Sequence, residues 1–311
     1  MNVRFRFMAW RRFFVALSGA ALLVTVLSLV LQGLNFGIDF RGGVTLDITT
    51  AQATTEHAVS QVLNANYGAR QPQVQALLHT GGRQYQIQML PMSDQQVSKV
   101  FATLQQRFGQ ATTENQVTEV SPTIGRELAR RAILAVILAT VLMTGYLGIR
   151  FQLGQAGAYS GLKFALAAVI ALLHDITLTV GLFSIFRLPV NSPFVAAVLT
   201  VYGYSMNDTI IVFDRIRERL GQHRQEPLEE LINVSLNQVL SRTIRTVATV
   251  ILALLAVYIL GGVSTRDLAL ALLVGVSFGT YSSVFIASPV FLWLVGDRGL
   301  RVRSAARPAR G

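Results

Sequence analysis

The sequence predicts a membrane all-α bundle of six transmembrane helices, with an external α+β ferredoxin-like (βαββαβ) domain between the first and second helix. Three observations predict it. Of 311 residues, 52% are hydrophobic and only 14% are charged, and the mean hydropathy is +0.48, a balance suited to a bilayer as solvent. Apolar runs long enough to cross hydrocarbon lie near 13–34, 132–149, 164–186, 193–213, 244–260 and 268–295. The gap after the first run is the only large one, and its hydrophobic pattern alternates between strand and helix periods.

The first run follows Arg4, Arg6, Arg11 and Arg12. It is too long for the apolar core of a secretory signal, and no small-residue cleavage site follows it, so residues 1–35 read as a cytoplasmic segment and a retained first helix. Alternation then places residues 36–128 outside and gives 129–296 to helices two to six, with a cytoplasmic loop at 214–243. That loop and the helix entry after it carry Arg215, Arg217, Arg219, Arg224, Arg242 and Arg245, against Arg187 and Arg266 in the later external loops. The asymmetry obeys the positive-inside rule. Arg126, Arg130 and Arg131 run against it, but they follow a long translocated region where charge counts for less. Both termini are expected in the cytoplasm, and the basic tail 297–311 has no apolar period.

Within the external region, Val44 to Thr50 alternates as a strand and Thr54 to Asn66 has helical spacing. Gln73 to Leu78 and Gln84 to Leu90 flank a Gly81-Gly82 turn, as a hairpin would. Ser93-Asp94 opens a second helix with Val97, Val100, Phe101 and Leu104 on its apolar side, and Asn115 to Ser121 closes the pattern as a last strand. The order is that of a split βαβ unit. Further on, Pro227 to Leu240 is amphipathic, and two placements fit it equally: along the inner membrane surface, or packed on protein.

The net charge of +11 does not point to nucleic acid, because the arginines flank apolar runs and form no patch with interleaved aromatics. There is no cysteine, hence no disulfide framework or thiolate metal site. His57, His79 and His223 show no metal-ligand spacing, and neither a Walker loop nor a nucleophile elbow is present. No cofactor is expected. If the protein consumes energy, an ion gradient is the expected source and not its own ATP hydrolysis.

Charge inside a span costs about 2.5–3.5 kcal/mol on insertion scales, so polar groups kept there need a purpose. In the fourth span Thr200, Gly203, Tyr204, Asn207, Asp208 and Ile211 fall on one stripe, continued by Asp214 and Arg215. In the fifth span Arg242, Thr246 and Thr249 align in the same way, and facing stripes would bring Asp208 within reach of Arg242. Burial favours the neutral carboxyl and a guanidinium the charged one, so the balance can change with conformation. A bare helix-to-helix clamp is the competing reading. His174-Asp175 in the third span offers either a proton relay or a packing hydrogen bond. Oxygens of Asn207 and Thr209 beside Asp208 leave sodium open as the coupling ion. Gly275 to Gly279 in the sixth span is a small-xxx-small pattern expected to let another helix approach.

Four strings carry a resemblance to a known family. Phe36-Gly37-Ile38-Asp39-Phe40-Arg41-Gly42-Gly43 resembles the glycine-pair signature of the SecD/SecF family of bacterial protein-export subunits. Ala171 to Asp175 is similar to its third-span element, Gly203 to Glu218 to its fourth-span signature, and Asn233 to Thr246, including Asn237, Arg242 and Arg245, to its run into the fifth span. The chain length and the single short external domain match the SecF branch. The resemblance implies a proton-driven member of the resistance-nodulation-division superfamily in the bacterial inner membrane, acting late in polypeptide export. The partners it implies are SecD, the SecY translocon, the exported polypeptide and the lipid bilayer. By position, Asp208 and Arg242 match the family's proton-path pair and His174 and Asp175 a shared motif. Two alternatives stand beside this: half of a small-molecule or lipid exporter, and a purely structural translocon subunit.

Overall fold

The structure, a computed structural model, describes residues 5–77, 83–152, 157–223 and 226–296. The expected Gly81-Gly82 turn, His79, Arg224 and the 297–311 tail lie outside the described residues. A 3-10 turn, Phe7–Trp10, leads into α1 (Arg11–Leu31), followed by β1 (Asn35–Phe36), α2 (Ile38–Arg41), β2 (Gly43–Thr49), α3 (Glu56–Tyr67), β3 (Gln73–Ala76), β4 (Gln84–Met89), α4 (Asp94–Phe108) and β5 (Thr113–Val120). The remainder is α5 (Pro122–Gln152), α6 (Gly157–Ile185), β6 (Pro189–Val190), α7 (Ser192–Gln222), α8 (Leu228–Leu260), α9 (Val263–Ser282), a π turn at Ser283–Ala287 and α10 (Ser288–Val295). Among the described residues six helical segments are long and apolar enough to cross a membrane, and the last runs unbroken from α9 through α10. The protein is a multi-pass membrane protein.

Two helices begin well before their apolar runs. α5 starts at Pro122, inside the 36–128 range expected for the external domain, so Arg126, Arg130 and Arg131 occupy its first turns. α8 starts at Leu228 and continues without a break into the fifth span. Its first turns bury Leu231, Ile232, Asn233, Val234, Ser235 and Leu236, a run covered on every side. Of the two placements open in the sequence, this segment takes the one packed on protein. Asn233 Oδ1 accepts from the Met8 amide at 3.0 Å, and the Asn237 side chain bonds both the amide and the carbonyl of Phe5, at 3.1 and 2.8 Å. The chain's entry segment is thereby tied to α8.

The inserted domain is a four-stranded antiparallel sheet of order β3-β4-β2-β5 with two helices on one face. Val44, Leu46, Ile48, Tyr85, Ile87 and Met89 point to those helices and pack on Val59, Leu63, Val100 and Leu104. Capping fixes the helix starts: Thr55 accepts from the Ala58 amide at 3.2 Å, and Ser93 and Gln96 form a reciprocal capping box.

The domain meets the bundle at a tight rim. β1 pairs in parallel with β6, the Gly37 amide donates to the Val190 carbonyl at 2.8 Å, and Asp39 Oδ2 accepts from the Ser192 amide at 2.8 Å. Asp39 thus places a carboxylate at the positive end of α7. Gly42 has φ +76, and a Cβ there would lie 2.8 Å from the Pro122 backbone; one on Gly125 would lie 2.8 Å from the Gly42 nitrogen. A Cβ on Gly43 would strike the Met89 carbonyl. The glycine pair is required because α2, β2 and the start of α5 cross where no side chain fits.

Inside the bundle, α6, α7 and the α9–α10 segment are about half buried, whereas α1, α5 and α8 turn most of their surface outward. α7 and α9 approach closely: a Cβ on Gly279 would be 2.9 Å from Ser205 Cβ, and one on Gly275 would collide with Val201. The small-xxx-small pattern is the packing seam between the fourth and sixth spans.

Replacing Gly42 by Ala combines a left-handed backbone with a backbone clash, and is expected to destabilise the fold by roughly 1–3 kcal/mol. Thermal unfolding of the detergent-solubilised protein measures this, with Gly203→Ala, where a Cβ meets open space, as the unaffected control.

Candidate functional site

The fourth span carries the site because its polar stripe is only partly turned inward. Thr200, Gly203, Tyr204 and Asn207 are exposed, whereas Asp208 is buried at 6% exposure. Asp208 forms the floor of a small crevice between α7, α8 and α9, walled by Tyr204 and Asn207 of α7, Thr246 and Val250 of α8, and Val276 and Thr280 of α9. Its one hydrogen-bond partner among the described residues is Thr280, whose Oγ1 donates to Oδ2 at 3.2 Å. A carboxylate with one long hydroxyl bond beside a crevice is held loosely.

The direct pair between Asp208 and Arg242 is not formed. Among the described residues no lysine or arginine makes an ion pair with Asp208, and Arg242 is exposed. The reason is the axial level of α8: Thr246 lines the crevice, and Arg242 lies one turn before it, joined by the bond from Thr246 Oγ1 to the Arg242 carbonyl at 3.1 Å. Arg245 is also exposed and folds its Nε back onto the Ser241 carbonyl at 3.0 Å. Asp214 and Arg215 continue the stripe but serve elsewhere. Asp214 pairs with Arg150 of α5 at 2.8 Å, while Arg215 bonds Gln238 of α8 at 2.5 Å and pairs with Glu218. They fasten the far end of α7 to two neighbouring helices.

His174 and Asp175 form a second centre, more tightly satisfied than the first. Asp175 is fully buried. Its Oδ1 lies 2.9 Å from His174 Nδ1, and its Oδ2 accepts from Ser205 Oγ at 2.6 Å and Ser282 Oγ at 2.7 Å. One carboxylate of α6 therefore ties α7 to α9. A second bridge runs beside it, Thr209 Oγ1 to Ser283 Oγ at 2.9 Å. The His174 ring stacks on Tyr281 at 6.2 Å between centroids, and its Nε2 is buried without a protein partner. Tyr281 in turn shares a bond with Ser18 of α1 at 2.9 Å and donates to the Phe14 carbonyl at 3.0 Å.

The partners Thr280, Ser282 and Ser283 are absent from the sequence expectations, which for the sixth span rest on ionisable groups and the Gly275–Gly279 packing pattern. The signal was present: Gly279-Thr280-Tyr281-Ser282-Ser283 is a polar run inside an apolar span. The π turn beginning at Ser283 has no comparable signature, although such turns often mark functional sites.

These features define a polytopic membrane protein whose chemistry-bearing groups are intramembrane carboxylates on packed helices. The family model for protein export membrane protein SecD/SecF, C-terminal, matches residues 100–297, and that for the SecD/SecF GG motif matches residues 27–54. Protein translocase subunit SecF of Alicyclobacillus acidocaldarius is 37% identical over 100% of this chain and 97% of its own length. The Rhodothermus marinus protein of the same name is 36% identical over 98% of this chain and 96% of its own length. The crystal structure of SecDF, a translocon-associated membrane protein from Thermus thermophilus, superposes with a TM-score of 0.79 at 31% identity, covering 94% of this chain. The chain spans 39% of that longer SecDF chain. SecDF in its super-membrane-facing form gives a TM-score of 0.70 at 32% identity, over 98% of this chain and 41% of that one. The chain belongs to the SecD/SecF family of protein export membrane proteins.

Removing the Asp175 carboxylate strands two interhelical hydroxyls and the imidazole. Asp175→Ala is expected to lower stability by about 1–2 kcal/mol, given roughly 0.6 kcal/mol per interhelical bond in membranes plus the buried groups left unpaired. Asp208→Ala removes one long bond and is expected to cost less; thermal unfolding of both variants in detergent checks the order.

Proposed function

We propose that the chain is a SecF-type subunit of the protein translocation machinery of the bacterial inner membrane, and that it couples the proton gradient to late steps of polypeptide export. On this reading the external unit is a split βαβ, ferredoxin-like domain on the far side of the membrane, and both termini are cytoplasmic. The observation that carries it is Asp208, a buried mid-span carboxylate at the floor of a crevice that opens outward and has a single hydroxyl partner.

The exposed stripe of Thr200, Gly203, Tyr204 and Asn207 is costly against lipid. It is the surface expected to meet a separate SecD partner, which would close the crevice from the other side. The solved SecDF relative is a translocon-associated membrane protein, which supports association of this chain with the SecY translocon. Chemically, Asp208 can exchange partners. With Thr280 as donor and α8 as found, the carboxyl accommodates a proton; with α8 displaced so that Arg242 takes the place of Thr246, an ionised carboxylate is favoured. Proton passage would drive the alternation with about 2.3 kcal/mol per charge per 100 mV, enough to shift a conformational equilibrium tens of fold. Sodium in place of the proton would use the same carboxylate.

The Asp175 knot favours a second reading for the His174 motif alone. Its carboxylate is fully satisfied by two hydroxyls and the imidazole, which suits a fixed fastening of three spans better than a relay.

The deciding measurement is proton flux and gradient-dependent export in vesicles holding this chain with its SecD partner. Asp208→Asn is expected to abolish both while the complex still assembles. Normal late-stage export by that variant would sink the proton role, and loss of assembly would indicate a structural one. Thr280→Val, which keeps shape and removes the hydroxyl, is expected to slow export by about two- to tenfold, the range of one net hydrogen bond.

A further inference from the structure

The glutamines of the external sheet have no part in the coupling scheme. β3 reads Gln73-Val74-Gln75-Ala76 and β4 reads Gln84-Tyr85-Gln86-Ile87-Gln88-Met89. Strict alternation sends the apolar side chains to α3 and α4 and the glutamines to the opposite face. Register arranges that face in rows. Nearest the bundle, Gln73 stands opposite Gln88, Gln88 opposite Thr45, and Thr45 opposite Thr118. In the next row Gln75, Gln86, Asp47 and Gln116 succeed one another in the same way.

An open antiparallel face is ordinarily polar, but these rows are polar in a particular manner. They hold amides and hydroxyls, with neither lysine, arginine nor glutamate, and their one carboxylate, Asp47, accepts from Gln86 Nε2 at 3.0 Å. At the bundle end, Gln73 and Gln88 line a crevice together with Gln71, Arg41, Phe36, Ile38, Met89 and Leu90. The face therefore runs down into a notch at the rim whose lining mixes apolar side chains with polar ones.

We propose that this face, with the notch at its foot, is a sequence-independent docking surface for an extended, unfolded polypeptide segment. The proposal rests on the export reading above, which supplies such a segment. Polypeptides of different sequence share only the main chain, which offers one N–H and one C=O per residue. A glutamine side chain carries the same amide, donor and acceptor together, and turns to match either. Neutral rows repel neither acidic nor basic segments, and the notch receives an occasional apolar side chain. Because each bond exchanges with water, every contact is weak in net terms. A segment held this way slides along the face.

The test places a photoreactive residue at Gln75, on the face, or at Ser98, exposed on α4, in the full chain with its SecD partner in vesicles carrying a stalled export intermediate. Capture of the polypeptide from position 75 about tenfold above position 98 is expected. With the probe moved to Thr118, replacing Gln86 and Gln88 by Ala is expected to lower capture about tenfold, the loss of two weak bonds, while the melting temperature of the complex is unchanged. Equal capture from both positions, or capture of the SecD partner or a second copy from position 75, overturns the proposal. Absence of capture at both positions with gradient-dependent export intact removes the docking surface alone; the same absence with no export in the wild-type vesicles removes the export reading too.

Discussion

The bundle is organised around the Asp175 carboxylate, which reaches from α6 to hydroxyls on both α7 and α9. A fully buried charge in a membrane protein survives only where its lone pairs are met, and here they are met by Ser205, Ser282 and His174. Those bonds demand that α7 and α9 lie close, which Gly275 and Gly279 allow. Closeness in turn sets Thr280 beside Asp208, since Thr280 is two residues from Ser282 and Asp208 is three from Ser205. The loosely held carboxylate is positioned by the tightly held one.

Two acidic groups on neighbouring helices thus have opposite environments. Asp175 has three hydrogen-bond partners and no exposure, so it cannot move without breaking an interhelical bond. Asp208 has one donor at 3.2 Å and an opening beside it. The π turn at Ser283–Ala287 lies next to both, with Ser288 Oγ bonding the Ser283 carbonyl five residues back at 3.0 Å. A helix that already carries one extra residue per turn at this point has a local alternative in ordinary α geometry. The sixth span is the element best able to change shape without dismantling the bundle.

The sequence disclosed the spans, the succession of strands and helices in the inserted domain and the place of Asp208 within a span, because hydropathy, alternation and intramembrane charge are properties of single segments. It did not disclose which level of α8 stands beside Asp208. Stripes at helical spacing say which residues share a face but leave free the shift of one helix along another, and that shift puts Thr246 and not Arg242 at the crevice. The start of α5 at Pro122 was hidden for a related reason: charged first turns projecting from a membrane resemble a linker in composition. Asp214 and Arg215 looked like part of the Asp208 stripe, yet their partners Arg150 and Gln238 are far away in sequence.

The rim explains how an event at Asp208 could reach the inserted domain. α7 is a single helix from Ser192 to Gln222, and sixteen residues separate Ser192 from Asp208, about 24 Å at 1.5 Å per residue. A helix of that length moves as a rod, so a tilt at its middle appears at its first turn. That turn is held by Asp39 through the Ser192 amide, and the strand before it by the β1–β6 pair. Both contacts belong to the segment leading into β2, one of the two central strands of the inserted sheet, through Gly42 and Gly43. The glycine pair leaves no side chain to act as a cushion between Pro122, Met89 and the turn. A displacement of α7 therefore passes to the sheet as motion of packed backbone, and a close-packed joint transmits strain where a flexible linker would absorb it.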